Sequence, residues 1–165
     1  MAKLDKELSD DAEKLLEAYR EAGLTLATAE SCTGGLIAGC LTDIAGSSDV
    51  VERGFVTYSN AAKQELLDVP ASLIESLGAV SAEVAEAMAE GALAHSHADV
   101  AVSATGIAGP GGATESKPVG LVFLGACRRG GDPLCERHVF HGDRAAVRRA
   151  SVAAALALLR RQLDA

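Results

Sequence analysis

The chain has no tryptophan, and only three phenylalanines and two tyrosines. That is too little aromatic surface for the stacking platforms that hold single-stranded nucleic acids. It also lacks an excess of positive charge. Fifteen Lys and Arg stand against 23 Asp and Glu, a formal net charge of −8, so no nucleic-acid partner is expected, because phosphate backbones are met by basic faces. No run approaches the roughly 18 to 20 apolar residues of a membrane span, and the Ala/Leu-rich stretch 152–159 is far too short. The opening residues, MAKLDKELSDD, carry charge with no apolar stretch behind it. No secretory signal is therefore expected, and the location predicted is cytoplasmic. The four cysteines (Cys32, Cys40, Cys127, Cys135) show no CxxC spacing, and the four histidines (His95, His97, His138, His141) form no HExxH pattern. Reduced thiols and no protein-built metal site are expected.

What is present is a chain of 165 residues, 48% of them hydrophobic, enough for one domain, 1–165, with its own core. Apolar spacing predicts a helix over 9–22, ended by Gly23, and a strand at LTLATA, 24–29, followed by a helix to about 44. VVERGFVTY, 50–58, reads as a second strand, with Asn60 capping a short helix to 67. A helix over 72–77 stops at Gly78, and Ser81 caps a longer one reaching 95. The stretch 98–104 reads as a buried strand, 119–127 and 134–141 as a hairpin, and Asp143 as the cap of a last helix to about 163. Strands alternating with helices, plus one hairpin, predict a three-layer α/β/α domain with a mixed, mainly parallel sheet of about five strands.

The chemistry-bearing residues gather at a few turns. The run Thr28-Ala29-Glu30-Ser31-Cys32-Thr33-Gly34-Gly35 puts hydroxyls and glycines where a strand should pass into a helix. Helix-start N–H groups attract negative charge, and glycines let a phosphate or an oxyanion approach the backbone. A simple cap and tight bend would use the same residues. A second glycine-rich segment, 105–118, follows another predicted strand, so the two loops could form one pocket at the carboxyl edge of the sheet. It matches neither GxxxxGK[ST] nor GxGxxG, which leaves nucleoside triphosphate hydrolysis with little support.

Ser31 would need a base to act as a nucleophile, and no GxSxG elbow surrounds it. The candidates are Lys63, Tyr58 and the histidines. Lys63 falls in the first turn of its helix, where its charge opposes the helix dipole and desolvation would lower its pKa; a solvated surface lysine is the alternative. Tyr58 could orient Lys63, relay a proton, stack on a ligand ring, or merely fill the sheet rim. Ser47 and Ser48 follow Gly46 in a turn where capping explains them. Arg144 and Arg148 share a helix face near an N-terminus, which suits a phosphate. They lie in the part of the chain, 101–165, that holds nine Lys and Arg against five Asp and Glu. Arg128, Arg129, Arg160 and Arg161 read as solvated charges.

Taken in order, TAESCTGG at 28–35, GSS at 46–48, Tyr58 with Lys63, GAVS at 78–81, TGIAGPGG at 105–112, KPVG at 117–120 and GDRAAVR at 142–148 resemble the CinA C-terminal domain family, which includes stand-alone nicotinamide-nucleotide amidohydrolases. The resemblance covers nearly the whole chain. It implies a deamidase converting nicotinamide mononucleotide and water to nicotinate mononucleotide and ammonia in pyridine nucleotide recycling, with no redox cofactor or metal. It implies Ser31 as nucleophile, Lys63 as its base and Tyr58 beside the nicotinamide. Backbone groups around Thr33, Gly34 and Gly35 would face the substrate, Ser48, Thr105 and Gly106 would line the pocket, and Arg144 would meet the phosphate or carboxyl region. The resemblance also implies a homo-oligomer, a dimer or larger. Leu121 departs from the pattern, since a Thr often follows the PVG glycine, and any contact from that hydroxyl is not expected here. Longer members carry a preceding domain linked to ADP-ribose pyrophosphatase activity, which is not expected of these 165 residues. The competing expectation is a sensor module that binds a pyridine nucleotide without turnover; Ser31 and Lys63 together favour the enzyme.

Overall fold

The computed structural model describes residues 5–164; the first four residues of the stretch read above for a signal lie outside them. The elements run α1 (Lys6–Ala22), β1 (Leu26–Glu30), α2 (Leu36–Thr42), β2 (Val51–Val56), α3 (Asn60–Leu67), α4 (Ala71–Leu77), α5 (Ala82–Ala94), β3 (Val100–Gly106), β4 (Leu121–Arg128), β5 (Leu134–Val139) and α6 (Arg144–Gln162). The sheet order is β2-β1-β3-β4-β5. β1 pairs in parallel with β2 and β3, while β4 is antiparallel to both β3 and β5. Four of the five strands therefore run one way. This is the expected α/β/α architecture with a mixed sheet.

Alternation along the strands builds two cores. Leu26, Val100, Val102 and Ala104 face α1, α2 and α6, and Ala27, Ala29 and Ala101 face α3, α4 and α5. The Tyr19 hydroxyl donates to the Leu159 carbonyl at 2.6 Å and pins α1 to α6 inside the first core. Helix starts follow local chemistry: Asp5, Ser81 and Asp143 accept from Leu8, Val84 and Ala146 N–H groups. The cap of α3 is Ser59, which accepts from the Ala62 N–H, and not Asn60. That shift of one residue leaves the Asn60 amide free of capping. β3 runs two residues further than expected, so Thr105 and Gly106 end a strand and do not begin a loop.

The helix that carries Lys63 is seated by a glycine. A Cβ on Gly91 of α5 would collide with the Leu67 carbonyl at the end of α3. Gly91→Ala should therefore destabilise the protein by about 1–3 kcal/mol through overpacking, even though alanine is the better helix former by about 1 kcal/mol. A lower urea midpoint with an unchanged slope would bear this out, and an unchanged midpoint would show that α3 can shift freely.

Candidate active site

β1 delivers Ser31 to the carboxyl edge of the sheet. The Ser31 N–H donates to the Ala104 carbonyl at 2.9 Å, which extends the pairing with β3, and the Gly34 N–H returns to the Ser31 carbonyl at 3.0 Å. The turn closes because Gly34 and Gly35 take φ values of +56° and +99°, a region open to glycine and strained for other residues. The N-terminus of α2 is not free to bind a ligand. The fully buried Glu30 carboxylate accepts from the Ile37 and Ala38 N–H groups at 2.8 and 3.1 Å, so the strand's own last residue occupies that positive end.

Lys63 reaches Ser31 from the facing helix. Its Nζ lies 2.9 Å from Ser31 Oγ and 2.9 Å from the Thr57 carbonyl, with a longer 3.5 Å contact to the Tyr58 carbonyl. The residue is 1% exposed, and no carboxylate bonds to the amine among the described residues. Burial pulls the Lys63 pKa below its ordinary value, with the nearby Cys32 opposing the shift. A neutral amine has two N–H donors and one lone pair. The two carbonyls can take the donors, leaving the lone pair for the Ser31 proton; a protonated amine meets the same three partners with three donors. The proton can pass between Oγ and Nζ without rearrangement. The neighbouring Cys32 thiol is pushed up to about 11 by burial and stays protonated at neutral pH.

Ser31 and Lys63 open onto a cavity of about 220 Å³ lined also by Cys32, Tyr58, Asn60, Ala79, Val80, Thr105, Gly106, Ala108 and Arg144. Thr105 is held at its wall by donating to the Ala79 carbonyl at 2.8 Å. Since residue 104 turns its carbonyl to Ser31, strand alternation points the Gly106 N–H the same way, past the end of β1. At the mouth, Arg144 donates to the Tyr58 hydroxyl at 3.1 Å and to the Gly109 carbonyl at 2.9 Å, joining the segment after β2, α6 and the glycine-rich loop. Ala108 and Arg144 also border a second cavity of about 670 Å³, with Pro110, Val119, Gly142, Asp143, Ala145 and Arg148.

The structure thus brings together Ser31, Lys63, Tyr58, Thr105, Gly106 and Arg144. It does not bring Ser48 with them. Ser48 sits in a 3-10 turn, Ser47–Asp49, just before β2, and parallel pairing of Leu26 with Val51 sets the start of β2 beside the start of β1, at the sheet edge opposite Ser31. Thr33, Gly34 and Gly35 shape the turn but do not line the cavity, and the Gly34 N–H is already committed within the turn. Cys32, in the turn after Ser31, lines it as well, and so do Asn60, Ala79, Val80 and Ala108, for which the sequence gives no pocket role. The histidines lie elsewhere: His95 pairs with Asp68 and His138 with Glu136. Arg129 is not a solvated charge, since it donates to the Leu93, Ser96 and Ala98 carbonyls. Among the described residues no group of three His, Cys, Asp or Glu could hold a metal ion, and no helix is long and apolar enough to cross a membrane.

Fold and site define an α/β/α protein with a buried serine-lysine pair in a cavity beyond the carboxyl ends of its central strands. The CinA C-terminal domain model matches residues 8–163, and the chain belongs to that family. It is 49% identical to the nicotinamide-nucleotide amidohydrolase PncC of Escherichia coli strain K12 over 158 residues, 96% of each chain. It is 54% identical over 164 residues to a CinA-like protein of Citrifermentans bemidjiense, spanning 96% of this chain and 38% of that one. The chain thus spans little more than a third of that longer relative. The crystal structure of the competence/damage inducible protein CihA from Agrobacterium tumefaciens superposes with a TM-score of 0.95 at 46% identity, covering all of both chains.

Proposed function

We propose that this protein is a nicotinamide-nucleotide amidohydrolase that converts nicotinamide mononucleotide and water to nicotinate mononucleotide and ammonia. The observation that carries the reading is the 2.9 Å contact between Ser31 Oγ and the Nζ of a Lys63 that is 1% exposed, in a chain that matches PncC over nearly its full length. Lys63 takes the Ser31 proton as Oγ attacks the carboxamide carbon. The developing oxyanion is met by backbone N–H groups at the cavity wall, those of Cys32 and Gly106. Collapse of the adduct breaks the C–N bond, and the Lys63 proton leaves with the departing ammonia. Water then gives a proton to Lys63 and attacks the acyl-enzyme, freeing the nicotinate nucleotide and regenerating Ser31.

The two adjoining cavities, which share Ala108 and Arg144, leave room for a substrate of two parts. The nicotinamide ring occupies the smaller cavity beside Tyr58 and Asn60, and the ribose phosphate extends into the larger one, with Arg144 at the join. No step calls on a redox cofactor or a metal. The reading takes 1–165 as one catalytic domain of a cytoplasmic homo-oligomer. The test is ammonia release from nicotinamide mononucleotide by the purified protein, with the product identified by mass. Turnover with formation of nicotinate mononucleotide is expected; tight binding without turnover would leave the sensor reading standing in its place.

A further inference from the structure

Arg148 lies one helical turn beyond Arg144 on α6, and the two share a face. Its guanidinium is already engaged by protein. Nε donates to the Cys32 carbonyl at 3.2 Å and Nη2 to the Thr33 carbonyl at 3.1 Å. These belong to the two residues that follow Ser31, 115 positions or more away in sequence. The Thr33 carbonyl also accepts from the Leu36 N–H at 3.0 Å, so the arginine completes a carbonyl that the turn itself only half satisfies.

A peptide unit is planar and trans, so its C=O and N–H point in opposite directions. Fixing the Cys32 carbonyl toward α6 therefore fixes the Thr33 N–H away from α6. In the preceding unit the Ser31 carbonyl is held by the Gly34 N–H, which orients the Cys32 N–H in the same manner. Among the described residues no carbonyl accepts from the Cys32 N–H, and Cys32 lines the cavity, so this group remains available to a ligand beside Ser31. The peptide unit that carries it is set by a bond within the turn, and the next unit by Arg148. The glycines that let the turn close also let its backbone swing, and Arg148 is the external group that holds it; a Cβ on Gly34 would already stand 3.4 Å from Nη2.

We propose that Arg148 is a positioning residue for the reaction: it clamps the carbonyls of Cys32 and Thr33 so that the nucleophile turn presents Ser31 Oγ and the Cys32 N–H in register. The inference rests on the reading of Ser31 as a nucleophile, and it distinguishes Arg148 from Arg144, which meets the ligand at the mouth. A lysine could reach one carbonyl and not both in a planar fork, so it rescues the function only in part.

The experiment compares wild type, Arg148→Lys and Arg148→Ala in two assays: steady-state ammonia release from nicotinamide mononucleotide, and the rate at which a small fluorophosphonate, losing fluoride, modifies Ser31, read by intact mass. The second assay needs no pyridine substrate. Arg148→Ala is expected to lower kcat by about 10- to 100-fold, the scale of an ångström-sized misplacement. KM should stay within about threefold, Ser31 modification should slow in parallel, and Arg148→Lys should fall between. A loss confined to KM would overturn the proposal and make Arg148 a contact of the substrate's tail. Unchanged kcat and labelling would overturn it as well. If the wild type releases no ammonia but its Ser31 labelling still depends on Arg148, the positioning role stands and the substrate assignment falls. If Ser31 of the wild type is neither turned over nor labelled, the nucleophile reading fails and this inference fails with it. Arg148→Lys, which keeps charge and length, supplies the result should the alanine variant not fold.

Discussion

Ser31→Ala is expected to lower kcat for ammonia release from nicotinamide mononucleotide by about 10⁵-fold, while nucleotide binding is kept to within a few fold. The size of the loss follows from the way nucleophile and base act as a unit. Without Oγ the attacking bond cannot form, and Lys63 has no hydroxyl to deprotonate. What survives is the residual acceleration from binding and oxyanion donors, worth about 10³–10⁴ over water in the comparable serine hydrolases. Binding should survive because Ser31 is a small part of a wall made mostly by Tyr58, Asn60, Val80, Thr105 and Arg144. The fold should survive too, since the Ser31 backbone bonds to Ala104 and Gly34 do not involve the side chain. A complementary result is expected from the wild type in the presence of hydroxylamine, which should divert an acyl-enzyme to the hydroxamate. If Ser31→Ala retains turnover within about tenfold of wild type, water attacks the amide directly and the covalent scheme is wrong.

The parts of this site that the sequence reveals are those governed by neighbours along the chain. The glycine pair after Ser31 announces a tight turn. A lysine in the first turn of a helix stands against the helix dipole and invites the question of what it serves. Ser81 and Asp143 are caps by local rules and act as caps. Errors arise where two residues compete for one local role, as with Ser59 and Asn60, both competent to cap α3. Long-range partners are illegible. Nothing near Glu30 in the chain says that a buried carboxylate will fill the N-terminus of α2 and close it to ligands. Nor does the spacing of Arg144 and Arg148 tell which will face the mouth and which will hold the turn after Ser31.

Ser48 is an instructive case, because chain order alone argues against it. Ser31 follows its strand and Ser48 precedes the next one, and strands paired in parallel place such residues at opposite edges of the sheet. Within one chain, β1 and β2 cannot bring both serines to one cavity. The same reasoning favours Thr105 and Gly106, which end β3 as Ser31 follows β1, and the register Glu30 with Ala104 sets them side by side.

Lys63 carries the second large effect, and its pH dependence separates it from a structural lysine. The base must be neutral to accept the Ser31 proton, so kcat should rise with pH as the bound enzyme loses the Lys63 proton, and burial moves that limb below the ordinary lysine range. In Lys63→Ala the rate should drop by about 10²–10⁴ and the limb should vanish; a limb that persists unchanged would assign it to another group. Stability supplies an independent reading of the same proton. The folded-state pKa of Lys63 lies below its value of 10.5 in the unfolded chain. Between the two, the unfolded state holds a proton that the folded state has released. Below the folded pKa both are protonated, and the folded protein bears the full cost of a buried cation. As pH rises across the window that cost is relieved, and the unfolding free energy should climb by up to about 1.4 kcal/mol per pH unit. Lys63→Met lacks this slope. The stability of wild type relative to Lys63→Met, measured by urea unfolding at a series of pH values up to about 10, should therefore increase with pH while contributions from all other groups cancel. A difference that stays flat would mean that Lys63 keeps an ordinary pKa in the fold, and the buried amine 2.9 Å from Ser31 would then be a cation at neutral pH and no base.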